Sequence, residues 1–178
     1  MFKKIAFATL LATSTLFAGG SHLNIGGSSF EIGDADPQYG AEIGGDLMFG
    51  MDQYQWIEAG VSGNIGSVFF DNSFDQLDHS YAPYGTLNLK LGFDFSQIPQ
   101  DQDLPFSIGA MIGYGGGKID NDYFHGMTYG GSFEVAFSQN YGLGYTYEAG
   151  TVEVFGKDQD LQKHKIYLTI KFIDNGGL

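Results

Sequence analysis

Three absences in this 178-residue chain each exclude a class of protein. There is no cysteine, so disulfides, thiolate metal sites and a lipid-anchored N-terminal cysteine are ruled out. There is no arginine, and the net charge is −13. Phosphate contacts need clustered Lys and Arg, so nucleic acid is excluded as a partner. The same lack argues against a bidentate phosphate clamp. Past the first 20 residues, no stretch approaches the roughly 20 apolar residues that a helical membrane span needs.

What is present is glycine (28 residues) and aromatic side chains (16%), nearly all Phe and Tyr. That mixture suits packed strands and tight turns. Residues 1–20 read as a secretory signal peptide. Lys3 and Lys4 form the basic start, Ile5 to Phe17 the apolar region, and Ala18-Gly19-Gly20 the small-residue cleavage region. Everything after it alternates. In the last stretch, Ile166, Leu168, Ile170 and Phe172 share one face, and Lys165, Tyr167, Thr169 and Lys171 share the other. A strand turns successive side chains to opposite faces, so one face is apolar and the other polar.

The pattern predicts eight strands, at about 23–33, 38–50, 55–69, 83–95, 105–115, 125–138, 141–150 and 164–172. In the first, Leu23 and Ile25 share one phase while Phe30 and Ile32 take the other. A bulge at Gly26-Gly27 is the expected reconciliation. Val152 and Val154 likewise suggest a bulge or an extended ribbon, and Lys157 to Gln162 read as the last loop. Gly115 to Gly117 read as opening a loop through Asp120 and Asp122. Ser138-Gln139-Asn140 reads as a tight turn.

Strands of about ten residues match a tilted crossing of the hydrocarbon layer, roughly 9–11 residues each. An even number brings both ends of the sheet to one side. With the first strand leaving the periplasm, the connections at 34–37, 70–82, 116–124 and 150–162 are predicted to be extracellular, three of them among the longest connections. Those at 51–54, 96–104 and 138–140 are predicted to be periplasmic.

A soluble barrel would turn the apolar row inward. Aromatic placement decides against it. Phe49, Phe95, Phe106, Phe137, Tyr141 and Phe172 fall at predicted periplasmic strand ends, and Tyr39, Phe69, Tyr114 and Tyr129 fall near the outer ends. Two aromatic girdles around an aliphatic band are what a bilayer interface selects. The expected fold is an all-β, eight-stranded antiparallel up-and-down transmembrane β-barrel over 21–173, with 174–178 as a short tail.

Strand number, dyad alternation, the leader and a last strand ending in Phe172 resemble the small outer-membrane barrels of the OmpA transmembrane-domain and OmpX type. The resemblance covers residues 21–173. It implies the bacterial outer membrane as location, with outer-membrane lipid and lipopolysaccharide as surroundings. It also implies handling by the assembly machinery, which reads a terminal aromatic, although six residues follow Phe172 here. A monomer is expected. With no peptidoglycan-binding domain expected after the barrel, that function does not carry over.

With the apolar row outward, the lumen receives Glu42, Asp46, Glu58, Lys90, Asp94, Glu134, Glu148, Lys165 and Lys171. Charges in a narrow interior must be paired or hydrated. An eight-stranded interior is just wide enough for side chains to fill it. The expected lumen is a salt-bridge plug; a narrow ion or small-solute pore through the same carboxylates is the alternative.

Lipid A-modifying enzymes are the other alternative, because some small barrels of this kind use a His with Ser and an acid. The histidines are His22, beside the cleavage region and expected to fray, then His79, His125 and His164. His125 is followed by Gly126-Met127-Thr128, so the deacylase pattern of His, one residue, then Ser is not met. No nucleophile–base pair is set by spacing, so no catalytic residue is assigned. Asp71, Asp75, Asp78, Asp120 and Asp122 match no EF-hand loop, and Gly113 to Gly117 precede no helix. Neither metal nor cofactor is expected. The primary reading is a non-enzymatic barrel contributing to envelope integrity or surface interaction.

Overall fold

The computed structural model describes residues 21–51, 57–69, 81–95, 105–119 and 122–172. The predicted leader, the tail, and Asp71, Asp75, Asp78 and His79 fall outside the described residues, as do the side chains of Asp120 and Asp122. Eight strands form: β1 (Ser21–Ile32), β2 (Gln38–Gly50), β3 (Ile57–Phe69), β4 (Tyr81–Asp94), β5 (Phe106–Ile119), β6 (Asp122–Ala136), β7 (Tyr141–Val154) and β8 (Lys157–Phe172). Each is antiparallel to its sequence neighbour, and β1 pairs with β8 to close the barrel. Closure leaves no sheet edge to satisfy, which a strand in lipid requires.

The barrel is inside out relative to a soluble one. Leu87, Leu89 and Ile166 are 62–64% exposed, while Lys163 is 1% exposed. Water would penalise that outer surface and lipid would not. Tyr39, Phe49, Phe69, Tyr114, Tyr129, Phe137, Tyr141 and Phe172 are exposed, whereas Phe95 and Phe106 are half-buried against each other. We call the end that carries Ser21 and Phe172 the base, and the end that carries the β1–β2, β3–β4, β5–β6 and β7–β8 connections the rim.

Several local expectations need correction. The β1 register runs without a break from Ser21↔Leu47 to Phe30↔Gln38 and, on the other side, to Ile32↔Leu161, so there is no bulge at Gly26-Gly27. Val152 and Val154 also continue an unbroken ladder. The reason is common to both. Toward the rim the inward phase stops being polar. Phe30, Val68, Ala82, Tyr84, Phe124, Val152 and Leu161 form a buried cluster inside the barrel, with Ile32 and Val154 packed on it. The change of side-chain character imitates a change of phase.

Residues Lys157 to Gln162 are strand, not loop, and Gly115 to Gly117 belong to β5. The β7–β8 turn is only Phe155-Gly156, with φ of 51° and 71°. Positive φ at both central residues is the twist that suits a two-residue hairpin. Three long rim loops are therefore not what forms. The longest gaps between strands are 70–80 at the rim and 95–105 at the base. His22 is not frayed: it sits in β1 opposite Asp46 and Lys171. The tight turn at 138–140 does form, with Tyr141 N–H donating to Ser138 Oγ at 3.0 Å.

Candidate functional site: the charged lumen

The inward phase of each strand brings its polar residues to one axis. β2 supplies Glu42 and Asp46, β3 Glu58 and Asn64, β4 Asn88, Lys90 and Asp94, β6 Glu134, β7 Glu148, and β8 Lys163, Lys165, Thr169 and Lys171. The structure sorts them into levels.

Just under the apolar cluster, Lys163 Nζ lies 3.1 Å from Glu42 Oε1 and 3.1 Å from Glu148 Oε1. Its ammonium also stands 5.5 Å and 5.4 Å from the ring centres of Phe30 and Tyr84. A cation there is attracted by the ring faces as well as by two carboxylates. Phe30 and Tyr84 meet edge to face at 4.8 Å and 74°, the arrangement that ring quadrupoles favour. Lys165 Nζ donates to Asn64 Oδ1 at 2.6 Å, lies 3.5 Å from Glu42 Oε2, and stands 5.0 Å from the ring centre of Tyr167.

One level down, Lys90 Nζ pairs with Asp46 Oδ2 at 3.0 Å. Lower still, Lys171 Nζ pairs with Glu134 Oε1 at 3.0 Å, and Thr169 Oγ1 lies 2.9 Å from Glu134 Oε2 and 3.0 Å from Asn24 Oδ1. Glu58 and Asp94 stand on neighbouring strands nearest the base. Six lumen carboxylates thus face four lysines, and the acids outnumber the lysines toward the base.

The cavity between the upper and middle levels holds about 20 Å³ and is bordered by Ser62, Asn88, Lys90, Lys165 and Tyr167, among others. That is space for about one water molecule. Ser62 Oγ and both side-chain ends of Asn88 reach no hydrogen-bond partner among the described residues, so one water there would meet unfilled donors and acceptors.

Sequence reasoning missed Lys163 and the apolar cluster, and it placed Asn64 and Thr169 on the polar face without a role in the charge network. Lys163 was recoverable: it stands two and eight residues from Lys165 and Lys171, on the same parity. The assumed loop hid it.

The three described histidines do not converge with a nucleophile and an acid among the described residues. His22 faces the lumen. His125 faces outward, stacked on Tyr114 with ring centres 6.1 Å apart. His164 also faces outward, with Nδ1 2.7 Å from the Tyr145 hydroxyl and its ring 5.1 Å from that of Tyr147. Among the described residues, no group of three His, Asp or Glu side chains has metal-binding geometry.

No family model matches this sequence, and no curated protein matches it. Solved structures do. The attachment invasion locus protein Ail of Yersinia pestis superposes with a TM-score of 0.55 at 16% identity, over 88% of this chain and 100% of that one. Neisserial surface protein A gives 0.56 at 10% identity, over 86% and 96%. The N-terminal β-barrel domain of Pseudomonas aeruginosa OprF gives 0.51 at 12% identity, over 86% and 98%. The chain has the fold of the small eight-stranded outer-membrane barrels.

Proposed function

We propose that this protein is a bacterial outer-membrane barrel with no catalytic role and no open channel, serving envelope integrity or presenting its rim to the exterior. The observation that carries the reading is the set of ion pairs across the lumen. Four lysines are interleaved with carboxylates along the axis, the cavity between the upper and middle levels holds about 20 Å³, and an apolar cluster lies inside the barrel at the rim end. A pore needs a continuous wet path, and eight strands enclose too little space for one once the side chains point inward.

The exposed aliphatic wall and its aromatic girdles support the membrane location. The leader over residues 1–20 supports export, with cleavage near Ala18 to Gly20. Phe172, paired with Ser21 at the end of the strand that closes the barrel, supports reading by the assembly machinery. The environment is outer-membrane lipid and lipopolysaccharide, and the barrel is a monomer. The rim, by the same reading, faces outward. One solved relative of this fold is described in complex with sucrose octasulfate, a heparin analogue. With no arginine and an acidic rim, this chain is not suited to such a polyanion.

The test is expression with the leader intact, followed by fractionation and gel migration with and without heating. The expected result is heat-modifiable protein in the outer-membrane fraction, together with unchanged lipid A mass spectra. A soluble monomer recovered without detergent would overturn the membrane reading. New lipid A species would overturn the non-enzymatic one.

A further inference from the structure

The outer wall has two electrical sectors near the rim. On β7, β8 and β1, the outward phase carries Glu153, Asp158, Asp160 and Glu31. On β2 to β6, no described outward side chain is a carboxylate, and the single outward lysine is Lys118, near the end of β5. The other lysines of the described strands lie on the inward phase: Lys90, Lys163, Lys165 and Lys171 serve the lumen, and Lys157 sits at the β7–β8 tip.

Below Lys118 the wall is hollow. A concavity of about 1150 Å³ runs along the outer surface from Ile25 and Gly26 of β1 across β2 to β6. Ala41, Ser67 and Gly85 form its shallow floor, and Ile43 and Ile65 its aliphatic side. The floor is low because the outward positions there carry small side chains or none. His125 and Tyr123 edge the hollow on the far side of Lys118.

We propose that this concavity seats one membrane lipid bearing a phosphate, with its acyl chain against Ile43, Ile65 and Gly85 and its phosphate on Lys118 Nζ. The inference rests on the transmembrane reading, which makes lipid the solvent of this surface. Charge selects the sector: an anionic headgroup meets carboxylates on the β7–β8–β1 side and an ammonium here. Lysine lays its aliphatic stem along apolar surface and lifts its charge to the interface. As a point charge it holds a phosphate without the planar fork that this chain lacks. The hollow accounts for the chain, and the lysine for the headgroup.

The test uses folded, heat-modifiable protein in detergent, with lipid retention read by native mass spectrometry. The probes are phosphatidylglycerol and a chain-matched diacylglycerol. Wild type is expected to retain the phosphatidylglycerol about fivefold better, the worth of roughly one lysine near an anionic group. Lys118→Ala should abolish that preference, and Lys157→Ala should leave it. Gly85→Leu should lower retention of both lipids. A Cβ at Gly85 meets only Asn64 O at 3.4 Å and Ile65 Cγ2 at 3.8 Å, ordinary contacts, so this variant fills the hollow without disturbing the backbone. Equal retention of the two lipids by wild type, or no change in Lys118→Ala, would overturn the proposal. So would a lipid-free dimer, which would assign the hollow to a second copy. Failure of the wild type to fold as a heat-modifiable barrel would bring down the membrane reading itself; a folded barrel without lipid preference would bring down this site alone.

Discussion

Lys163 and Glu148 stand directly opposite each other on β8 and β7, and their side chains join at 3.1 Å where Lys163 is 1% and Glu148 2% exposed. Glu42 takes the other side of the same ammonium at 3.1 Å. A buried ion pair gains little over an apolar pair of the same shape, but removing one partner leaves a charge stranded. The triad is therefore a lock that tolerates joint replacement better than single replacement.

Lys163→Met should accordingly destabilise the folded barrel by about 3–5 kcal/mol, the usual cost of breaking a buried pair from one side. Urea titration in detergent micelles, read by heat-modifiable migration, measures it. Adding Glu42→Gln and Glu148→Gln to Lys163→Met should recover most of the loss. A single variant as stable as wild type would show that the charges are hydrated rather than locked.

Packing gives an independent prediction at Gly144. It lies on the inward phase of β7 beside Tyr167, whose ring occupies the place of a side chain. A Cβ there would collide with the ring carbons and hydroxyl of Tyr167. Gly144→Val should cost about 1–3 kcal/mol from overpacking. In the background of Tyr167→Ala, the same substitution should cost less than half as much. Equal costs in both backgrounds would mean that the ring is not what fills the space.

The β7–β8 turn carries backbone strain. Phe155 has φ of 51° and is 54% exposed, so nothing buried compensates its left-handed backbone. Asparagine tolerates that conformation, and Asn-Gly is the favoured pair for such a turn. Phe155→Asn should raise stability by about 1 kcal/mol. A loss of stability would mean that the aromatic ring packs on the rim in a way its exposure does not reveal.

The sequence carries the fold where the two faces of each strand differ in polarity. The Ile166 to Phe172 row reads as lipid-facing because every second residue is apolar, and its partner row shows equally well that Lys165 and Lys171 enter the lumen. Inside the hydrocarbon layer, one physical rule acts on both faces. Above it the rule lapses. Phe30 and Val152 point inward although the inward phase below them is polar, so the alternation there suggests bulges that do not exist. Lys163 was lost to a related cause: apart from Leu161, Lys157 to Gln162 are polar on both faces, and such a strand looks like a loop. Pair identities were not legible at all. That Lys163 meets Glu42 across the barrel depends on shear between distant strands, which no local spacing encodes.

The most direct test of the closed lumen is single-channel recording of the purified, refolded protein in planar bilayers over a wide voltage range. The account predicts a silent barrel, with wild type indistinguishable from protein-free membrane. A steady conductance that disappears on substitution of Lys163 or Glu134 would contradict it, and would make the same ion pairs the walls of a pore.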